Sequence, residues 1–154
     1  MYFVNRSKIE KTLEYFDDII KVLDQESSFT NSVMNKLALE RIIHVLVESM
    51  LDTGNMMIDG FIMRDPGSFY DIIDILTDEE VLPNESASSY KALIDARQQI
   101  VKEYTETDTT YLTETIQTQI DVVRQFSKYV RKYLDQETGV ANAFSNEAGA
   151  SDEK

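Results

Sequence analysis

Glycine and proline are scarce in this sequence, and their scarcity limits the folds open to it. The 154 residues include only five glycines and two prolines, too few for the many tight turns of a β-rich protein. Between the breaks, apolar residues recur at steps of three and four, which is the spacing of one helix face. The sequence therefore predicts an all-α fold built from long helices.

Four long segments and one short segment show this periodicity. The predicted long helices span about 5–24, 30–61, 84–104 and 108–134, and a short helix at about 68–76 follows the turn at 64–67. The second segment has a wide apolar face, which predicts a central helix contacted on two sides. Because the connections are short, we predict an up-and-down four-helix bundle with one short extra helix.

The chain divides into one helical domain and a tail. All of the periodic segments fall within residues 1–134, a length that suits a single domain with one core. Residues 135–154 are mostly small and acidic, and only Val140 and Phe144 among them are large apolar residues. Such a segment buries too little surface to offset its ordering entropy, so we predict a disordered acidic C-terminal tail.

Charge and composition exclude several classes of function. The net charge of −13 repels phosphates, which argues against a high-affinity, sequence-specific nucleic-acid binder but permits a nuclease with one local basic pocket. The absence of cysteine removes thiolate and disulfide chemistry. We see neither an apolar run of about 18 residues nor the order of a signal peptide, so we expect no membrane association and a cytoplasmic location.

The first candidate site lies near the end of the fourth long segment, where Arg97, Lys102 and Tyr104 form the pattern Arg-x4-Lys-x-Tyr. On an ideal helix Arg97 and Tyr104 share a face, whereas Lys102 points about 140° away. The three side chains can converge only if the helix ends or distorts near Val101, or if a second subunit brings its own copy close.

A second stretch, Asp52-Thr53-Gly54-Asn55, lies late in the long second helix. A mid-helix glycine costs about 1 kcal/mol relative to alanine, so Gly54 predicts the close approach of another backbone, within the bundle or across a dimer. Asp52 and Asn55 share a face and could line a cleft, with Asp52 pairing with Arg97 or Lys102. Helix packing around a buried polar pair is the alternative.

Together these stretches resemble the HEPN-domain ribonucleases of the HepT toxin type, over about residues 1–134. That family carries Arg-x4-His-x-Tyr, so Lys102 stands in place of the histidine, and Gln98 stands in place of the asparagine that follows the arginine. The resemblance implies a homodimer whose cleft holds both copies of the motif, and a metal-independent RNA endonuclease without cofactor, acting as the toxin of a toxin–antitoxin system. It also implies an antitoxin nucleotidyltransferase that attaches AMP to Tyr104.

The replacement of histidine by lysine affects the residue that RNA cleavage most needs. Cleavage requires a base for the ribose 2′-hydroxyl and a cation for the phosphate, and Arg97 suits the second role. Histidine exchanges protons near neutral pH, whereas a lysine ordinarily holds its proton up to a pKa of about 10.4. Lys102 is therefore a base only if burial perturbs it, and otherwise a phosphate-holding or structural residue. We predict impaired catalysis, with a non-catalytic dimeric module that binds a nucleotide or a nucleotidyltransferase as the alternative.

Each candidate residue also has a structural interpretation. Arg97 could be a surface arginine paired with Asp95 or Glu103, and Tyr104 could close the helix end over the core. His44 is the only histidine, and we find no acidic neighbour at a spacing that defines a catalytic dyad, so we expect it to be structural. One histidine without a Glu-x-x-His pair predicts no metal site.

Overall fold

The structure, a computed structural model, describes residues 4–26 and 28–148, with side chains as far as residue 137. Over these residues the chain forms helices and no strand. The helices are α1 (Arg6–Gln25), α2 (Val33–Gly60), α3 (Phe69–Asp78), α4 (Ala87–Lys102), α5 (Thr109–Val123) and α6 (Phe126–Ala148), with a 3₁₀ turn at Asn84–Ser86 before α4. The predicted all-α fold is confirmed.

Short polar side chains begin most of the helices by accepting a hydrogen bond from a first-turn backbone N–H. Ser68 caps α3 and Asp108 caps α5. The cap of α2 is Ser32, so this helix begins slightly after its predicted start near residue 30. Ser28 and Thr30 instead lie within hydrogen-bonding distance of each other, so α2 begins later than its polar lead-in suggests.

The last predicted helix is divided into α5 and α6 at Arg124 and Gln125. The N–H of Arg124 donates to the carbonyl oxygen of Ile120, and the N–H of Gln125 donates to that of Val122. These two hydrogen bonds form a tight turn that connects α5 to α6. Neither glycine nor proline marks this break, and the apolar stripe continues across it. α5 and α6 together occupy the place of the fourth long helix, and α3 is the short extra helix of the predicted bundle.

α2 is the central element of the bundle. It packs against α1, α3, α4 and α5, which confirms the expectation of a helix contacted on more than one side. Its buried residues include Leu46, Met50 and Met57, each with no exposed surface. A row of polar residues along one side of α2 stays accessible, and that row supplies half of the candidate site.

α6 closes the bundle against α1 through both apolar and ionic contacts. Phe126 packs against Phe16 of α1 and Tyr90 of α4, with ring centroids 5.7 Å apart in each pair. On the outer side, Arg131 contacts Glu10 and Asp17 of α1 at 2.8 Å each. These contacts join α6 to α1 and α4.

The backbone of α6 continues to Ala148, past the predicted helix end near residue 134. For the predicted acidic tail, 135–154, the side chains after residue 137 and the whole of residues 149–154 lie outside the described part of the structure. Its disorder stays a prediction. In the described helices, none combines the length and the apolar character needed to cross a membrane.

Candidate active site

Arg97 lies on α4 with its guanidinium inserted between α2 and α3. Its Nε donates to Oε1 of Glu48 at 2.7 Å, and Nη2 lies 2.6 Å from the same oxygen. The guanidinium also stacks over the ring of Phe69, 5.3 Å from the ring centroid, which adds a cation–π contact. With only 19% of its side chain exposed, Arg97 is held in one place by contacts from two other helices.

The partner of Arg97 differs from every partner we expected. Neither Asp95 nor Glu103 on its own helix pairs with it; Asp95 instead accepts a hydrogen bond from the hydroxyl of Tyr70. Asp52 is exposed on α2, one turn beyond the glutamate that binds the guanidinium. The predicted pairing of Arg97 with Asp52 therefore names the correct helix, but the true partner lies one turn earlier on α2.

Glu48 is not among the site residues predicted from the sequence, yet it contacts Arg97 and connects His44 to the candidate site. Nε2 of His44 lies 3.8 Å from Oε1 of Glu48, the same oxygen that binds Arg97. We expected no acidic neighbour at a spacing that defines a catalytic dyad; Glu48, four residues later on the same helix face, is an acidic neighbour of His44, at a distance longer than a hydrogen bond. That i, i+4 spacing was the available signal.

Lys102 and Tyr104 lie at the end of α4, so the helix ends close to Val101, which was one of the two conditions under which the motif could converge. Lys102 is the last residue of the helix, and the N–H of Glu103 closes it by donating to Gln99 at 2.7 Å. The side chain of Tyr104 is 73% exposed, so it does not cover the core. Within the described residues of this single chain, neither Lys102 nor Tyr104 makes a side-chain hydrogen bond or ion pair with Arg97.

The predicted cleft-lining residues are all accessible. Asp52 and Asn55 on α2 and Gln98 on α4 are exposed, so the alternative of a buried polar pair does not describe Asp52 and Asn55. By the helical period, Asp52 and Asn55 lie within an arc of about 80° that also contains His44 and Glu48. The exposed side of α2 thus presents one continuous polar row beside Arg97.

Gly54 lies behind this row, where α2 meets α3. A Cβ at this position would be 2.5 Å from Cγ2 of Ile72 and 3.4 Å from Cδ1 of Leu76. The close approach predicted for this glycine occurs within the bundle, and side chains of α3 make it rather than a backbone. Gly54 therefore sets the spacing between α2 and the helix whose first residue, Phe69, stacks on Arg97.

The arrangement can hold an anion and move a proton. The contacts of Arg97 with Glu48 use Nε and Nη2, which leaves the Nη1 edge of the guanidinium for an incoming phosphate oxygen. The imidazole of His44 is accessible beside Arg97 and Glu48, and histidine is the side chain that proteins most often use for general acid–base chemistry. Among residues 4–26 and 28–148, no three histidine, aspartate or glutamate side chains are grouped as a metal ion would require.

The helical fold agrees with the comparisons to known proteins. The family model described as ribonuclease HepT-like matches residues 9–130, and the chain belongs to this family of HepT-like ribonucleases.

A curated relative from Bacillus subtilis (strain 168), "Putative RNase YutE", is 45% identical over 144 residues, which cover 94% of this chain and 99% of the relative. A solved structure of YutE from Bacillus subtilis, described as a cytosolic protein of unknown function, superposes with a TM-score of 0.86 at 46% identity. That match covers 90% of this chain and 96% of the solved chain.

Proposed function

We propose that this protein is an RNA endonuclease in which Arg97 holds the scissile phosphate. The observation that carries the proposal is the fixed guanidinium at the α2–α3–α4 junction, with one edge turned away from its glutamate partner. A preorganised cation of this kind stabilises the charge that develops on phosphorus-bound oxygens. Membership of a ribonuclease family and the RNase name of a 45% identical relative support the same reaction.

We further propose that catalysis is impaired at the motif's third position. Lys102 is exposed at the end of α4, and lysine, unlike histidine, is not ordinarily a general base in proteins at neutral pH. A lysine at a helix C-terminus also has a structural role, because it complements the helix dipole. Restoring histidine at 102 should therefore raise the rate of cleavage.

The purified protein should act as a homodimer. Val33, Met34 and Leu37 are 71%, 75% and 54% exposed on the side of α2 that also presents the polar row. Large apolar side chains grouped on one exposed helix face mark protein–protein contact sites. A dimer formed across this face would bring two copies of the site together and supply a cleft that one chain lacks.

The physiological role we propose is that of a cytoplasmic toxin controlled by a nucleotidyltransferase antitoxin. Tyr104 supports this role because its hydroxyl is accessible at a helix end, where a partner enzyme could attach AMP. The name of the solved relative places that protein in the cytosol, which fits the same compartment for this chain.

Cleavage of RNA by purified protein tests the enzyme. Wild type, Arg97→Ala and Lys102→His are compared on a mixed RNA substrate, with folding checked by circular dichroism. We expect slow cleavage by wild type, loss of cleavage in Arg97→Ala and faster cleavage in Lys102→His.

The alternative is a non-catalytic dimeric module that uses the cleft to bind a nucleotide or a nucleotidyltransferase, and the histidine missing from position 102 favours it. It is supported if folded wild type and Lys102→His both fail to cleave RNA while wild type binds AMP or the partner enzyme.

A further inference from the structure

The only histidine of the chain lies outside the motif yet inside the candidate site. His44, Glu48 and Arg97 form one connected group, because a single carboxylate oxygen lies 3.8 Å from the imidazole Nε2 and within 2.7 Å of two guanidinium nitrogens. The side chains are 33%, 40% and 19% exposed, respectively, so the group lies at an accessible surface and is not enclosed in the core.

We propose that His44 is the proton-transfer residue of this site, in the role that Lys102 cannot fill, and that Glu48 is a positioning residue. This inference rests on the proposed ribonuclease function. A carboxylate facing Nε2 favours the tautomer that carries its proton there, which leaves Nδ1 to accept a proton from substrate. The same carboxylate fixes Arg97, so base and phosphate-holding cation are set relative to each other.

The reaction step that this geometry supports is transesterification within RNA. His44 removes the proton of the ribose 2′-hydroxyl while the 2′-oxygen forms a bond to phosphorus, and Arg97 holds the non-bridging oxygens. The bond from phosphorus to the 5′-oxygen breaks with its electron pair, and that oxygen takes a proton from water. The hydroxide that remains takes the proton from His44, which returns the imidazole to its neutral form. The products are a 2′,3′-cyclic phosphate and a 5′-hydroxyl end, so no metal or redox partner enters the balance.

A purely structural account explains only half of the group. The Arg97–Glu48 contact alone would join α4 to α2, in the way that Arg131 joins α6 to α1. That account gives the imidazole no function, although it is accessible and lies on the side of α2 where the predicted cleft residues are exposed. The contacts of Arg131 with Glu10 and Asp17, which join α6 to α1 and involve no residue of the candidate site, therefore serve as the control for the role of the group.

The test is single-turnover cleavage of RNA by full-length His44→Gln, His44→Ala and Arg131→Gln, beside wild type. His44→Gln keeps a polar side chain and removes proton transfer, so we expect the rate to fall by about 10²–10⁴-fold with little change in RNA affinity. Arg131→Gln should lower the melting temperature and leave the rate of cleavage unchanged. Added imidazole should restore part of the rate of His44→Ala, a response that a structural role would not produce.

The outcomes separate this inference from the proposed function. If wild type cleaves and Arg97→Ala does not, yet folded His44→Gln retains the wild-type rate, His44 is not the base and only this inference fails. The same conclusion follows if His44→Ala loses activity without any rescue by imidazole while its RNA affinity falls in parallel. Wild type that is folded and dimeric but leaves RNA intact overturns the proposed function and this inference together.

Discussion

Replacing Gly54 with alanine tests whether the spacing of α2 and α3 is set by this one missing side chain. The new Cβ would be 2.5 Å from Cγ2 of Ile72, far inside van der Waals contact. That methyl is a branch next to the backbone of a buried residue, so it has little freedom to move aside. In the Gly54→Ala variant, therefore, either α3 shifts outward or Ile72 adopts a strained rotamer.

Two opposing free-energy contributions decide how much Gly54→Ala changes the stability of the fold. Alanine in place of glycine within a helix favours folding by about 1 kcal/mol. Overpacking a buried site costs about 1–3 kcal/mol. We therefore expect Gly54→Ala to lower the free energy of unfolding by about 1 kcal/mol, or the melting temperature by about 2–4 °C for a chain of this size.

A double-mutant cycle with Ile72→Ala isolates the clash. Ile72→Ala alone should cost about 2–5 kcal/mol through the cavity it leaves. In that background Gly54→Ala no longer meets Cγ2, so its effect should change sign and stabilise the protein by up to about 1 kcal/mol. Asn55→Ala is the control, since it is exposed on the same helix and should stabilise slightly in either background.

Urea denaturation followed by circular dichroism measures all of these variants. The reasoning is refuted if Gly54→Ala stabilises the wild-type background, or if the coupling between positions 54 and 72 is below about 0.5 kcal/mol. Because α3 carries Phe69 against Arg97, the same variant should also slow RNA cleavage if α3 shifts outward.

Three further predictions follow from surface features. Leu37→Asp should convert the proposed dimer to monomer in light scattering at unchanged helicity, and a variant that stays dimeric would place the interface elsewhere. Hydrogen bonds from Arg124 hold the pKa of the Asp24 carboxyl below its usual range, so this pair stabilises the fold above a pH of about 4 and loses that contribution as the pH falls through the lowered pKa. Because the pair is half-exposed, Asp24→Asn should lower the free energy of unfolding by at most about 1 kcal/mol at neutral pH. The variant should also lose less stability than wild type as the pH falls below about 4, and an equal loss in both proteins would contradict this assignment. Tyr104→Phe should abolish any gain of AMP mass on incubation with ATP and a cognate nucleotidyltransferase, while modification that persists would exclude Tyr104 as the acceptor.

The all-α architecture could be predicted because local information carries it. Apolar periodicity marks the buried face of each helix, and the side-chain oxygens of Ser68 and Asp108 mark two of the starts. The break at Arg124 and Gln125 could not be predicted, because no glycine or proline marks it. There Arg124 reaches Asp24 of α1, a contact 100 residues away in sequence.

The candidate site, like the fold, could be predicted only in part from the sequence. The sequence by itself determined the helices that carry the site and the need for a close approach at Gly54, because these follow from period, composition and the missing Cβ. Only the tertiary structure decided that Arg97 is bound by Glu48 and stacked on Phe69, and that His44 joins them. Which turns of α2 and α4 lie side by side depends on how whole helices pack, and no local pattern in either segment encodes that alignment.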